Sequence, residues 1–102
     1  MTIKITTTVI KPEGGLFFGE ASLENYVIVQ DSMAWILGLP GCIGLKTSRD
    51  WVNNISTMVS EWATVEDAKN YQAERLAHEI TAVTKEFNDA NNIIVFVDQE
   101  VV

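Results

Sequence analysis

The stretch from Ser22 to Leu37 most constrains this chain, because it reads as a helix that is apolar on both sides. Leu23, Tyr26, Val27, Met33, Ala34 and Leu37 follow a 3-4 spacing, while Ile28, Val29, Trp35 and Ile36 fall on the opposite side. Ser22 stands at the N-cap, and Gly38 followed by Pro40 is a stop signal. A helix apolar all round is covered all round. A chain of 102 residues makes one domain. At that size much of the surface stays wet, so a single copy covers one side of the helix and something else must cover the rest.

The other segments give that helix its neighbours. Residues 3–10, IKITTTVI, alternate with Ile3, Ile5, Thr7 and Val9 on one side, and three consecutive threonines suit a pleated strand. Pro12, Gly14 and Gly15 end it. Residues 42–49 and 54–63 read as two strands joined by a short connection, Asp50 to Asn53, compatible with a hairpin. In the second of these, Ile55, Thr57, Val59 and Glu61 face one way, and Ser56, Met58, Ser60 and Trp62 the other. Thr64 to Asp67 resembles a capping box with Asp for Glu. It opens a helix whose stripe is Leu76, Ile80, Val83 and Phe87, with Val65 and Ala68 near it. Asn88 to Asn92 closes that helix, and 93–97, IIVFV, suits a buried strand that must be paired or covered.

The order is β-α-β-β-α-β, the ferredoxin-like split arrangement of an α+β fold. It gives a four-stranded antiparallel sheet with helices on one face. The opposite face needs its own cover, and a second copy pressed sheet to sheet supplies it. The expected assembly is a homodimer, a dimeric α/β barrel.

Composition excludes several functions. A net charge of −7 repels phosphate backbones, and no basic stripe offsets it, so nucleic acid is not an expected partner. The apolar stretch Met33 to Leu45 is interrupted by Gly38, Pro40, Gly41 and Gly44 and is too short to span a bilayer, so no membrane partner is expected. The N-terminal segment has no secretory pattern and Cys42 is the one cysteine, which points to the reducing cytoplasm. No His or carboxylate spacing suggests a metal site. Gly38, Gly41 and Gly44 precede a strand, whereas a dinucleotide fingerprint opens a helix.

Pro40-Gly41-Cys42-Ile43-Gly44, Ser60-Glu61-Trp62 and Thr64-Val65-Glu66-Asp67-Ala68 together resemble the antibiotic biosynthesis monooxygenase family of the dimeric α/β-barrel superfamily. The resemblance spans residues 3 to 98. It implies a homodimer with a ligand cavity between sheet and helices in each subunit. Some members oxidise quinol-like aromatics with molecular oxygen and without metal or flavin, and others degrade haem. On the first model no cofactor is expected and the partner is a flat hydrophobic aromatic molecule. Quinol-oxidising members carry an Asn four residues before the strand-end Trp, where this chain has Met58, and a Tyr six residues after it, where it has Ala68. Trp62 matches. Haem-degrading members use an Asn on the first strand, where Thr6 to Thr8 stand, and a Trp nine residues past the strand-end Trp, where Tyr71 stands.

The candidate site residues follow. Trp62, Met58 and Ser60 share a strand face and would line a pocket, with Trp35 beside them; the competing reading is ordinary core packing. Trp62, Tyr71 and His78 are the catalytic candidates, the first two with Ser60 as hydrogen-bond donors and His78 as base or haem ligand. On a straight helix Tyr71 and His78 lie roughly 160–200° from the apolar stripe and point outward. They reach a pocket only if the helix breaks between them. Cys42 has no local base or positive field and reads as a small buried hydrophobe. Phe17 and Phe18, in the linker 11–21, either form a lid or pack on the sheet end. Two functions remain open: a cofactor-independent oxygenase, and a binding or interaction module without turnover.

Overall fold

Period-two alternation lets β-branched residues bury one face of a strand and leave the other to neighbours. That alternation sets the sheet. A computed structural model describes every residue from Met1 to Val102. Strand β1 is Ile3–Ile10, β2 Cys42–Asp50, β3 Ile55–Trp62 and β4 Ile94–Val101. They form one antiparallel sheet in the order β2-β3-β1-β4. Helix α1 is Leu23–Leu37, α2 Val65–Ala77 and α3 Glu79–Ala90, with a single 3-10 turn at Phe18–Glu20. No helix is long and apolar enough to cross a membrane.

The register gives each face its composition. Ile3 pairs with Trp62, Ile5 with Ser60, Thr7 with Met58 and Val9 with Ser56, so these eight share the helix-facing side. The strand parity read from the sequence is the parity of the fold. On the outer side the row Ile10, Ile55 and Ile94 and the adjoining Phe96 are apolar, whereas Lys4, Glu61 and Glu100 at the other end are charged. Ile94 is 61% and Phe96 44% exposed. The apolar run expected to be buried is paired with β1 along one edge only, and all of β4 is open to solvent.

The caps are those the sequence indicates. Ser22 Oγ accepts from Asn25 N (3.0 Å) and Thr64 Oγ1 from Asp67 N (3.1 Å). The Asp67 carboxylate accepts from the Thr64 hydroxyl at 2.9 Å, tying the cap to itself. Gly41 carries a φ of +75°, and a Cβ there would lie 2.0 Å from an Asp67 oxygen. Gly41 therefore meets both requirements, a left-handed backbone and a close approach, that exclude larger residues. A bulge between Cys42 and Gly44 then starts β2 and leaves Ile43 outside the ladder.

Of the two helix readings, the first is refined and the second corrected. In α1 the inward residue is Ile36, while Leu23, Tyr26, Val27 and Leu37 are exposed. The two apolar sides are thus not equivalent, and a single chain covers only one of them. The second helix is not continuous: His78 adopts ψ 136° and divides it into α2 and α3. No Gly or Pro marks the break. The backbone groups it frees are taken up by side chains: Ile80 N donates to His78 Nδ1 (3.2 Å), and the Thr81 hydroxyl donates to the Arg75 carbonyl. The break resets the helical phase. Leu76, assigned to the apolar stripe, is 79% exposed, and Ala68 and Tyr71 form the buried face of α2 instead. In α3 the ring of Phe87 packs edge-on against Phe18 at 5.5 Å.

Candidate functional site

The helix-facing side of the sheet has a sealed end and an open end. At the sealed end Ile3, Ile5, Ile36, Trp62, Ala68 and Tyr71 make the core. Trp62 is wholly buried, with Tyr71 stacked on it at 4.6 Å and 18° between planes. The Trp62 indole N–H donates to Ser60 Oγ (2.9 Å), and that hydroxyl donates to the Ile5 carbonyl (3.5 Å). Each polar group in this stack has a partner within the protein.

At the open end the helices diverge from the sheet and leave a cavity of about 890 Å³. Thr7 and Met58 form part of its floor, Ile36 and Met33 of α1 one wall, and Arg75 and Thr81 the turn between α2 and α3. Phe17 and Phe18 complete the wall and are both buried, so the linker packs against the sheet end and is not a free lid. Glu20 holds the linker twice: Oε1 accepts from Phe17 N (3.0 Å) and lies 3.6 Å from Arg49. The Arg49 guanidinium stacks over Phe17 (4.7 Å) and Trp51 (5.2 Å). This volume is ordinary for a small-molecule site.

Of the residues nominated from the sequence, Met58 lines the cavity, while Trp62 and Ser60 lie beneath its floor with no exposed surface. Their nomination as pocket wall and free donors is corrected: Trp62 is stacked on Tyr71 and donates to Ser60, and Ser60 donates to the Ile5 carbonyl. Trp35 is not on the cavity either, and stacks on His78 at 4.4 Å. His78 borders a separate recess of about 220 Å³ with Asp31 and Glu79, and its Nδ1 caps α3. The outward placement of Tyr71 is also corrected, because the break at His78 turns α2 to bury it. Tyr71 is not itself on the cavity, but its hydroxyl accepts from Nη1 of Arg75, which is, at 2.5 Å. The same Nη1 lies 3.5 Å from Thr7 Oγ1.

Arg75, Arg49 and Thr7 were not among the sequence candidates. One signal was present: Tyr71 and Arg75 stand four apart and share a helix face. Burial pushes the Cys42 thiol pKa up, which disfavours a thiolate. No group of three or more His, Cys, Asp or Glu residues is arranged to hold a metal ion.

Solved structures share this fold. The cofactor-independent oxygenase SnoaB from Streptomyces nogalater, in a mutant form, aligns with TM-score 0.67 and 11% identity over 99% of this chain and 92% of that one. A candidate antibiotic biosynthesis monooxygenase from Deinococcus radiodurans aligns with TM-score 0.62 and 12% identity, covering 100% and 92%. A dimeric ferredoxin-like protein from an uncultured marine organism aligns with TM-score 0.65 and 19% identity, covering 100% and 94%. The fold is therefore that of the ferredoxin-like, antibiotic biosynthesis monooxygenase-like proteins, as the sequence motifs suggested. At these identities the likeness establishes the fold alone. No known family matches the sequence as such. No curated protein matches it either.

Proposed function

We propose that this chain is a cofactor-independent monooxygenase acting on a flat aromatic or quinol-type molecule in the cavity between sheet and helices. The observation that carries the reading is the cavity itself, about 890 Å³ with an apolar wall of Phe17, Phe18, Met33, Ile36 and Met58. A substrate with a ring methylene acidified by a conjugated ketone, as in an anthrone, supplies its own carbanion. That anion is oxidised by O₂; one oxygen atom stays on the carbon as a new carbonyl, the two methylene hydrogens leave with the other as water, and no external reductant is consumed. The protein's part is to hold the anion away from water. The test is oxygen uptake with a panel of quinols and anthrones. Uptake well above spontaneous autoxidation, with one O₂ consumed per carbonyl formed, supports the reading. No uptake at saturating substrate overturns it.

The second reading is a binding module without turnover. The absence of His78, the one histidine, from the cavity favours it, as does the internal satisfaction of Trp62 and Ser60. Tight ligand binding without oxygen uptake selects this reading. Both readings place two copies sheet to sheet. The apolar row of half-buried Ile10 and Ile55 with exposed Ile94 and Phe96 supports this pairing, as does the dimeric neighbour. Sedimentation at micromolar concentration should give twice the chain mass, and a stable monomer would exclude the pairing.

A further inference from the structure

We propose that Arg75, held by Tyr71 and Thr7, is the receptor for an anionic oxygen on the aromatic ligand, a ring carboxylate or phenolate. This rests on the cavity reading above and adds to it the chemical class of the ligand and the residue that selects it.

Three charged side chains line the cavity: Glu20, Arg49 and Arg75. Glu20 and Arg49 pair with each other at 3.6 Å. Arg75 forms no ion pair. The chain has twice as many Asp and Glu residues (14) as Lys and Arg (7), so a half-buried guanidinium without a carboxylate partner is not a matter of scarcity. Charges placed against apolar walls are ordinarily paired. A charge left unpaired there is a candidate for pairing with something that arrives.

The geometry prepares Arg75 for that role. Its Nη1 is engaged by Tyr71 and Thr7. A guanidinium carries five N–H donors in a rigid fork, and no buried side-chain nitrogen or oxygen in the protein lacks a partner. The remaining donors of Arg75 therefore lie at accessible surface, and Arg75 is one of the residues that line the cavity. The backbone is fixed as well, because the Thr81 hydroxyl takes the Arg75 carbonyl. A planar fork held at one corner and open on the others suits a bidentate oxyanion. Arg49 stands on a different row of the sheet, roughly 12 Å from Thr7 by strand and residue spacing. A purely structural role for Arg75 also exists, since it is the basic residue in the last turn of α2. That role bears on stability and gives no ligand charge preference.

The experiment is equilibrium titration of the full chain with 2-naphthoate and its neutral isostere 2-naphthamide. The expected result is naphthoate binding about tenfold tighter. Arg75→Gln should remove the difference, Arg75→Lys should keep part of it, and Lys85→Gln, on the exposed face of α3 away from the cavity, should leave it in place. Equal affinity in the parent chain, preference surviving Arg75→Gln, or preference lost in Lys85→Gln would each overturn the assignment. Should Arg75→Gln not fold, Thr7→Val retains the guanidinium and removes one of its anchors. It should lower the preference severalfold, and an unchanged preference counts against the receptor. A second arm follows 2-naphthol across its own ionisation. Tightening on ionisation assigns a phenolate as an accepted group, and a flat response with naphthoate still preferred assigns a carboxylate. Charge preference without oxygen uptake removes the oxygenase reading and keeps the receptor. Uptake without charge preference does the reverse.

Discussion

The two ends of one sheet face are built from the same strands and do opposite things. At the end of Ile3, Ser60 and Trp62 these side chains are buried and every buried polar atom is answered within the protein. Two to four residues along, at Thr7, Met58 and Ser56, the helices have drawn away and the same face opens into a cavity. At the first end the indole N–H is spent on Ser60, and at the second a guanidinium is left without a carboxylate. The comparison separates two kinds of residue that composition treats alike. An aromatic with its donor satisfied internally holds the fold together, and a charge without an internal partner is available to a ligand.

That distinction can be broken by substitution at either end. The largest effect is expected for Trp62→Ala at the sealed end. Removing a fully buried aromatic that stacks on Tyr71 should cost about 3–5 kcal/mol of stability, read by denaturant unfolding. A loss below about 1 kcal/mol would mean that this end is not the core. Next comes Gly41→Ala, where the left-handed backbone and the Asp67 carboxylate 2.0 Å from the new Cβ act together. A loss of about 2 kcal/mol is expected, and the double variant with Asp67→Ala should recover part of it, as tested by a double-mutant cycle. Met58→Ala at the open end should cost less than Trp62→Ala, about 1 kcal/mol, because Met58 already borders empty space. The same variant should weaken aromatic ligand binding measurably, whereas an unchanged affinity would place the ligand elsewhere.

The smallest effect concerns the turn beyond the open end. Asp50 accepts from Val52 N, Asn53 N and the Asn53 side chain, and these bonds hold its carboxyl pKa below the ordinary value, the Asn53 side chain first among them. A depressed carboxyl contributes stability above its unfolded pKa and loses it as pH falls through the folded one. Asp50→Asn should therefore lower Tm slightly at neutral pH, and the difference from the parent should vanish in acid. A difference that grows on acidification would contradict the assignment.

Much of the sheet was readable without coordinates. The parity of β3 that puts Met58, Ser60 and Trp62 on one face, and the caps at Ser22 and Thr64, depend on local rules of period and hydrogen bonding. The inward faces of the helices were not readable in the same way. In α1 both sides are apolar, so periodicity offered two answers and packing chose Ile36. In the second helix a continuous stripe led from Leu76 to Phe87, and the break at His78 put Leu76 in solvent and Tyr71 in the core.

The sequence by itself determined the order of elements and which residues share a strand face, because these follow from the stereochemistry of neighbouring residues. Only the tertiary structure decided which helix face turns inward, that Trp62 is core and not pocket, and that Arg75 stands over a cavity without a counter-ion. Each of these depends on groups distant in the chain, such as Thr7 and Arg75, meeting or failing to meet. Whether a charge finds a partner is a property of the packed chain and not of any segment of it.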